Sequence, residues 1–238
     1  HLDGAQPDGV LFIPRRATAP QELHGFQTAI FKAFGVDLPI KIVSGAAEVE
    51  RLLVPGQGFG LGAISAGTPV MHDYLHAHFG KDITPEGSDA LYISRSKLGP
   101  GKGALLGEDI LEQHLAAQGF EIFHPQMHDI PTQIARFKAA KVVLGADGSA
   151  FHLFSFVGRS DQKVGLISRR KSGAVQNIVT NLAHFTGAEP AVFDVLRGVW
   201  QPEASARARL SMGEPDIPAL QKALVAKGFI QDGPAWPE

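Results

Sequence analysis

The 238-residue chain contains no cysteine, which removes disulfide frameworks, cysteine zinc sites and thiol catalysis together. It also has no Asn-x-Ser/Thr sequon, since Asn177 and Asn181 are followed by Ile-Val and Leu-Ala. A cytoplasmic compartment is therefore expected. No apolar run approaches the roughly 18 residues that span a bilayer, and no basic, apolar, small-residue leader opens the chain. No transmembrane segment is expected, so any membrane association would come through partners. Neither sign of charge dominates, with 22 Lys+Arg against 24 Asp+Glu. Nucleic acid is not an expected partner, and any anion site must be local. No Asp-x-Asp occurs to hold a divalent ion on a diphosphate. The chain also lacks a Gly-x-Ser-x-Gly elbow, a His-Glu-x-x-His pair and a Walker A loop, which sets aside the usual serine hydrolase, zinc protease and P-loop readings.

What the chain does have is alternation. Val10 to Ile13 is a short apolar run stopped by Pro14, as in a buried strand. Leu23, Phe26, Ile30 and Phe34 make a helical stripe from Gln21 to Phe34 that ends at Gly35. Strands are predicted at Ile40 to Val43 and Glu50 to Val54, then a glycine-rich stretch from Gly56 to Gly67 and a helix from Pro69 to Phe79. The polar segment Gly80 to Gly87 is the candidate boundary. Beyond it the pattern resumes with strands at Ala90 to Ser94, Glu121 to Phe123, Lys141 to Leu144, Val164 to Ile167 and Ala191 to Val195. Helices are predicted at Glu108 to Gln118, Pro131 to Ala140, Ala174 to Phe185 and Ile217 to Lys227, with a further one from Ser149. Such alternation implies an α/β fold of parallel sheets flanked by helices, read as two Rossmann-like halves. The predicted domains are residues 1–84 and 85–238, with the last helix packing back on the first half. The sequence opens at His1 rather than Met, and the first half is expected to be N-terminally incomplete.

Ligands of open α/β sheets sit beyond the carboxyl ends of the strands, so the loops after Ser94, Phe123, Leu144 and Ile167 are where chemistry is sought. Ser94 to Gly103 places Arg95, Lys97 and Lys102 among glycines just before a helix, a composition suited to wrapping a diphosphate. Lys141 to Ala150 runs a buried strand into a small-residue turn at Gly145, Asp147, Gly148 and Ser149. Those glycines permit close backbone approach, and Ser149 can act as an N-cap or a phosphate donor. A tight turn capped by Asp147 explains the same residues. His72 and His76 lie four apart on a predicted helix beside Asp73. That spacing suits a metal, but a polar helix face is commoner and no metal is expected. His72, Asp73 or His24 can instead serve as a general base. Gly58 to Ala63 fits a dinucleotide fingerprint only loosely, because Pro55 breaks the strand-to-turn join.

An ordered set runs from Tyr92-Ile93-Ser94-Arg95 through Gly107-Glu108-Asp109-Ile110-Leu111-Glu112, Gly119-Phe120-Glu121-Ile122 and Gln133-Ile134 to Gly145-Ala146-Asp147-Gly148-Ser149-Ala150. This set resembles family 61 of the glycosyltransferases, of the capsular or surface polysaccharide type. The family turn usually carries His where this chain has Asp147. The resemblance implies a GT-B-like, two-domain bacterial enzyme with the nucleotide on the second half and the acceptor on the first. It implies inverting transfer from a nucleotide sugar, a uridine diphosphate sugar, to a glycan, with no cofactor beyond that co-substrate. By family position Arg95, with Lys97, meets the diphosphate. Gln133 and Gly145 to Ser149 (Gly145, Asp147, Gly148, Ser149) hold the nucleotide, and Glu108 contacts nucleotide or ribose or orients Arg95. Asp73 and His72 are the candidate bases. The alternative is a catalytically silent nucleotide- or carbohydrate-binding module.

Overall fold

The computed structural model describes residues 4, 6–14, 22–60, 66–99, 101–201 and 210–237. Its centre is a parallel five-stranded sheet made of β3 (Ala90–Ile93), β4 (Glu121–Phe123), β5 (Val142–Ala146), β6 (Lys163–Ile167) and β7 (Ala191–Phe193), in the order β4-β3-β5-β6-β7. Between these strands run α3 (Glu108–Ala117), α4 (Ile130–Ala139), α5 (Ala150–Val157) and α6 (Ala174–Thr186). Leu91, Tyr92 and Ile93 of β3 and Val143 and Leu144 of β5 are buried, which is why these strands read as continuous apolar runs rather than alternating ones. One sheet face packs on α3 and on α7 (Ile217–Ala226) through Leu111, Leu115, Leu220 and Leu224. The other packs on α4, α5 and α6 through Phe137, Phe151, Phe154, Ile178 and Leu182. The sheet is thus covered on both faces, as the alternation predicts. The last helix packs on this sheet, among residues beyond Gly87, rather than on the first half.

The helix ends follow the sequence. Asp129 accepts from the Thr132 N–H at 2.9 Å and Asp216 from the Ala219 N–H at 2.9 Å, each followed by Pro in the first turn of α4 or α7. Gly187 closes α6 with φ 70°.

Before Gly80 regular structure is sparser among the described residues. The parallel pair β1 (Val10–Phe12) and β2 (Ile40–Ile42) accompanies α1 (Gly25–Ala33) and α2 (Pro69–His78). No strand forms at 50–54: Leu52 and Val54 are 61% and 80% exposed. β-propensity there finds neither an edge to pair with nor a face to cover. The first part therefore shows two paired strands among the described residues where a second Rossmann-like sheet was expected. Its helices dock on the sheet domain through Leu75 and Phe79 against Ile130, Ile134 and Phe185. In the glycine stretch, Leu61, Gly62 and Ala63 lie outside the described residues. Gly67 lies against Phe185, where a Cβ would come within 2.9 Å of the ring, so its smallness serves packing. Gln21, at the start of the first predicted helix, is also outside the described residues.

After β7 an antiparallel hairpin that the sequence did not predict, β8 (Leu196–Trp200) and β9 (Met212–Pro215), folds over the strand ends. No described helix is long and apolar enough to cross a membrane.

Candidate active site

The strand order reverses between β3 and β5. The chain leaves β3 for α3 on one face and β5 for α5 on the other, so the carboxyl ends of these two strands form the switch point at which open α/β sheets place their ligand crevice. Arg95, two residues past β3, reaches across it. A Cβ added to Gly148, two residues past β5, would lie 2.5 Å from Arg95 Nη1. Arg95 Nη2 donates to the carbonyls of Lys102 (2.8 Å) and Gly103 (3.1 Å), which closes the basic loop on itself. Its Nε is buried without a partner. Burial pulls the Arg95 pKa down, with Glu108 and Asp147 opposing.

Glu108 opens α3 behind Gly107, whose left-handed backbone (φ 68°) turns the chain into the helix. Its carboxylate is 2% exposed and accepts from the Arg95 N–H at 2.9 Å and from the Tyr92 hydroxyl at 3.0 Å. Burial pushes the Glu108 pKa up, against those two hydrogen bonds, and raises the Tyr92 hydroxyl well above its usual range. Beside them the Ser94 hydroxyl donates to Glu112. Through the Arg95 N–H, Glu108 fixes the backbone from which the Arg95 side chain departs.

Asp147 is fully buried. Its Oδ1 lies 3.1 Å from Arg169 Nε and 3.2 Å from an Arg170 Nη, at ion-pair distances but outside hydrogen-bond alignment. Its Oδ2 accepts from the Arg169 N–H at 3.3 Å and its carbonyl from Arg169 Nε at 2.8 Å. Burial brings the Arg169 pKa down to about 10, which still leaves it charged at neutral pH. Arg95, Arg169 and Arg170 interact electrostatically as one cluster.

The hairpin braces this end. Gly213 exchanges backbone hydrogen bonds with Ala104 and Leu106, and its α-carbon faces the Arg169 backbone. A Cβ there would fall 2.6 Å from the Arg169 carbonyl oxygen, a contact that only a backbone shift relieves. Gly213→Ala is expected to lower folding stability by about 1–3 kcal/mol, read from the urea midpoint. An unchanged midpoint would mean that the hairpin does not press on Arg169.

The other candidates fall in different places. Lys97 is exposed on the loop after β3, and Ser149 is exposed at the N-terminus of α5 with its hydroxyl making no capping bond. In the first turn of that helix the Phe151 and His152 N–H groups donate to the Gly148 and Ser149 carbonyls. Gly145 lies inside the sheet, where a Cβ would meet the Ile93 carbonyl oxygen at 2.7 Å, so it serves strand packing. Gln133 donates to the carbonyls of Pro125 (2.8 Å) and His128 (3.0 Å), bracing the loop after β4.

His72 and Asp73 are not brought to the crevice. They pair with each other at 3.1 Å on α2, and the His72 ring packs near His76, His184 and Phe185. His184 and Phe185 belong to the last turns of α6, which runs back from the carboxyl end of β6 to the amino end of β7. The pair therefore sits at the end of the sheet opposite Arg95. Among the described residues no group of three His, Asp or Glu side chains is placed to hold a metal. His24 caps α1, where its N–H donates to Gln27 at 2.8 Å. A cleft of about 360 Å³ between α1 and β2, lined by Phe31, Lys32, Asp37 and Ile40 among others, lies away from the buried charges.

Sequence reasoning pointed to the loop after β6 but singled out neither Arg169 nor Arg170. It also passed over His124, which follows β4 at the same end of the sheet. His124 interacts with Glu112 and Lys97, and burial lowers its pKa. The one signal available was position, since each of these residues stands one to three places past a strand.

No curated protein matches the chain. The glycosyltransferase 61 family model matches residues 10–164, which takes in β3, β5, Arg95, Glu108 and the Asp147 turn. The match covers well over half the chain, and the chain therefore belongs to the glycosyltransferase 61 family.

Proposed function

We propose that the protein transfers a sugar from a nucleoside diphosphate donor, a uridine diphosphate sugar, to a glycan acceptor with inversion, as a step in bacterial surface polysaccharide synthesis. The observation that carries the donor half of this reading is the burial gradient at the crevice. The carboxylates of Glu108 and Asp147 are 2% and 0% exposed, whereas Arg95 is half-buried and the Arg170 side chain is 13% exposed. What a ligand meets there is cation, next to the N-terminus of α5.

An acceptor hydroxyl attacks the anomeric carbon, the bond from that carbon to the β-phosphate oxygen breaks, and uridine diphosphate leaves. The charge that grows on the leaving diphosphate is met by Arg95, Lys97 and the helix terminus, each charge-assisted hydrogen bond contributing roughly 1.5–3 kcal/mol. With no Asp-x-Asp in the chain, this cation set takes the part that a divalent ion would otherwise play. The hydroxyl proton needs a base at the same end of the sheet. His124 is there, and a pKa lowered by burial leaves it able to accept a proton at neutral pH.

The test is calorimetric titration of the protein with UDP, with and without EDTA, followed by turnover assays over a panel of nucleotide sugars. Binding that survives EDTA together with transfer is the expected result. Binding without transfer from any donor would support the catalytically silent module, and neither binding nor transfer would end the transferase reading.

A further inference from the structure

We infer that Arg170 is a second group that grips the donor phosphates, and that Asp147 and Arg169 position it without touching the donor. The inference rests on the nucleoside-diphosphate reading of the crevice.

Four charged groups meet where β5 and β6 end, and burial divides them. Asp147 is 0% and Arg169 is 3% exposed, so neither is open to a ligand. Arg169 is fixed on the turn by its Nε–H, which donates to the Asp147 carbonyl, and by its N–H, which donates to Asp147 Oδ2. The remaining oxygen, Oδ1, stands between the two arginines at 3.1 and 3.2 Å. Asp147 thereby holds one end of the Arg170 guanidinium. Arg170 Nε is buried and has no hydrogen-bond partner. Arg95 approaches from β3 with its own Nε in the same condition, and each of these cations works against the other's charge.

Two guanidinium groups that repel each other, each with a donor left unmatched inside the protein, are costly to hold together. An oxyanion bound between their outer nitrogens offsets that repulsion. The planar fork of arginine suits the adjacent oxygens of a diphosphate better than a lysine point charge does.

A field argument and a positioning argument then predict opposite signs. If only net charge mattered, neutralising Asp147 beside an anion site would tighten anion binding. If Asp147 aims Arg170, neutralising it lets the guanidinium swing away and binding weakens.

The experiment is titration of UDP and UMP into the wild-type chain and its Arg170→Ala, Arg170→Lys and Asp147→Asn forms and the Arg170→Ala/Asp147→Asn double variant, with thermal melts establishing that each is folded at the titration temperature. The expected result is that Arg170→Ala weakens UDP binding by roughly fivefold, UMP by less, and that Arg170→Lys recovers part of the loss. Asp147→Asn weakens UDP binding too, and the double variant is no weaker than Arg170→Ala alone. UDP affinity unchanged in folded Arg170→Ala overturns the inference, as does tighter binding in Asp147→Asn. If Asp147→Asn does not fold, the Arg170 pair decides alone. Binding of UDP that is sensitive to Arg95→Ala but not to Arg170→Ala leaves the transferase reading standing without this inference, whereas no UDP binding by the wild type overturns both.

Discussion

Asp147→Ala is expected to cost about 3–5 kcal/mol of folding stability, the range for removing one partner of a buried ion pair. Arg169 is 3% exposed and the Arg170 side chain 13% exposed, and the carboxylate between them lies within ion-pair distance of both. The substitution leaves two poorly hydrated guanidinium groups repelling each other at the end of β6. The Arg169 N–H also loses its side-chain acceptor. Asn at the same position is expected to cost less, because an amide oxygen can still accept from that N–H. Urea denaturation of the two variants measures the difference. A cost below about 1 kcal/mol for Ala would show that the two cations are hydrated in solution and that the pair contributes as little as an exposed one.

This pair also shows where local sequence stops being informative. Residues Leu91 to Ile93 announce a strand because both faces of β3 are covered, and covered strands are apolar throughout. Arg95 and Glu108 were legible for a related reason, since a cation just past such a strand and an acid at the next helix start sit where α/β sheets bind ligands. Asp147 was noticed as part of a turn, but its partners lie 22 and 23 residues downstream past another helix, and only their position just past a strand marks them. The β8–β9 hairpin was invisible for the opposite reason. Gly198 and Gly213 weaken its strand signal, yet Gly213 is required where the backbone crosses Arg169. Residues 50–54 carried the signal without the structure, because β-propensity without a neighbouring edge does not make a strand. His72 and Asp73 lie at the end of the sheet opposite Arg95. Nearness to the boundary in sequence says nothing about which end of the sheet α2 docks on. That is decided by aromatic packing: Phe34, Phe79 and Phe156 cluster together, and Phe59 lies against Phe185.

Arg95→Ala is expected to weaken UDP binding ten- to a hundredfold, about 1.4–2.8 kcal/mol, while leaving the fold largely intact. The side chain is half-buried and packs over Gly148, and what it anchors in the protein is the loop after β3, through the carbonyls of exposed Lys102 and buried Gly103. The backbone N–H, which holds Glu108 at 2.9 Å, is untouched by the substitution. Gly148→Ala probes the same contact from the other side. Its Cβ would displace Arg95 Nη1, the far end of a flexible side chain, so the melting temperature should hardly move while UDP affinity falls in the direction of Arg95→Ala. Titration calorimetry and a thermal melt on each variant separate the two effects. Loss of affinity without loss of stability in both would place the diphosphate over the junction of β3 and β5. Loss of stability with unchanged affinity would mean that Arg95 only closes its loop, and that the donor is held elsewhere along the strand ends.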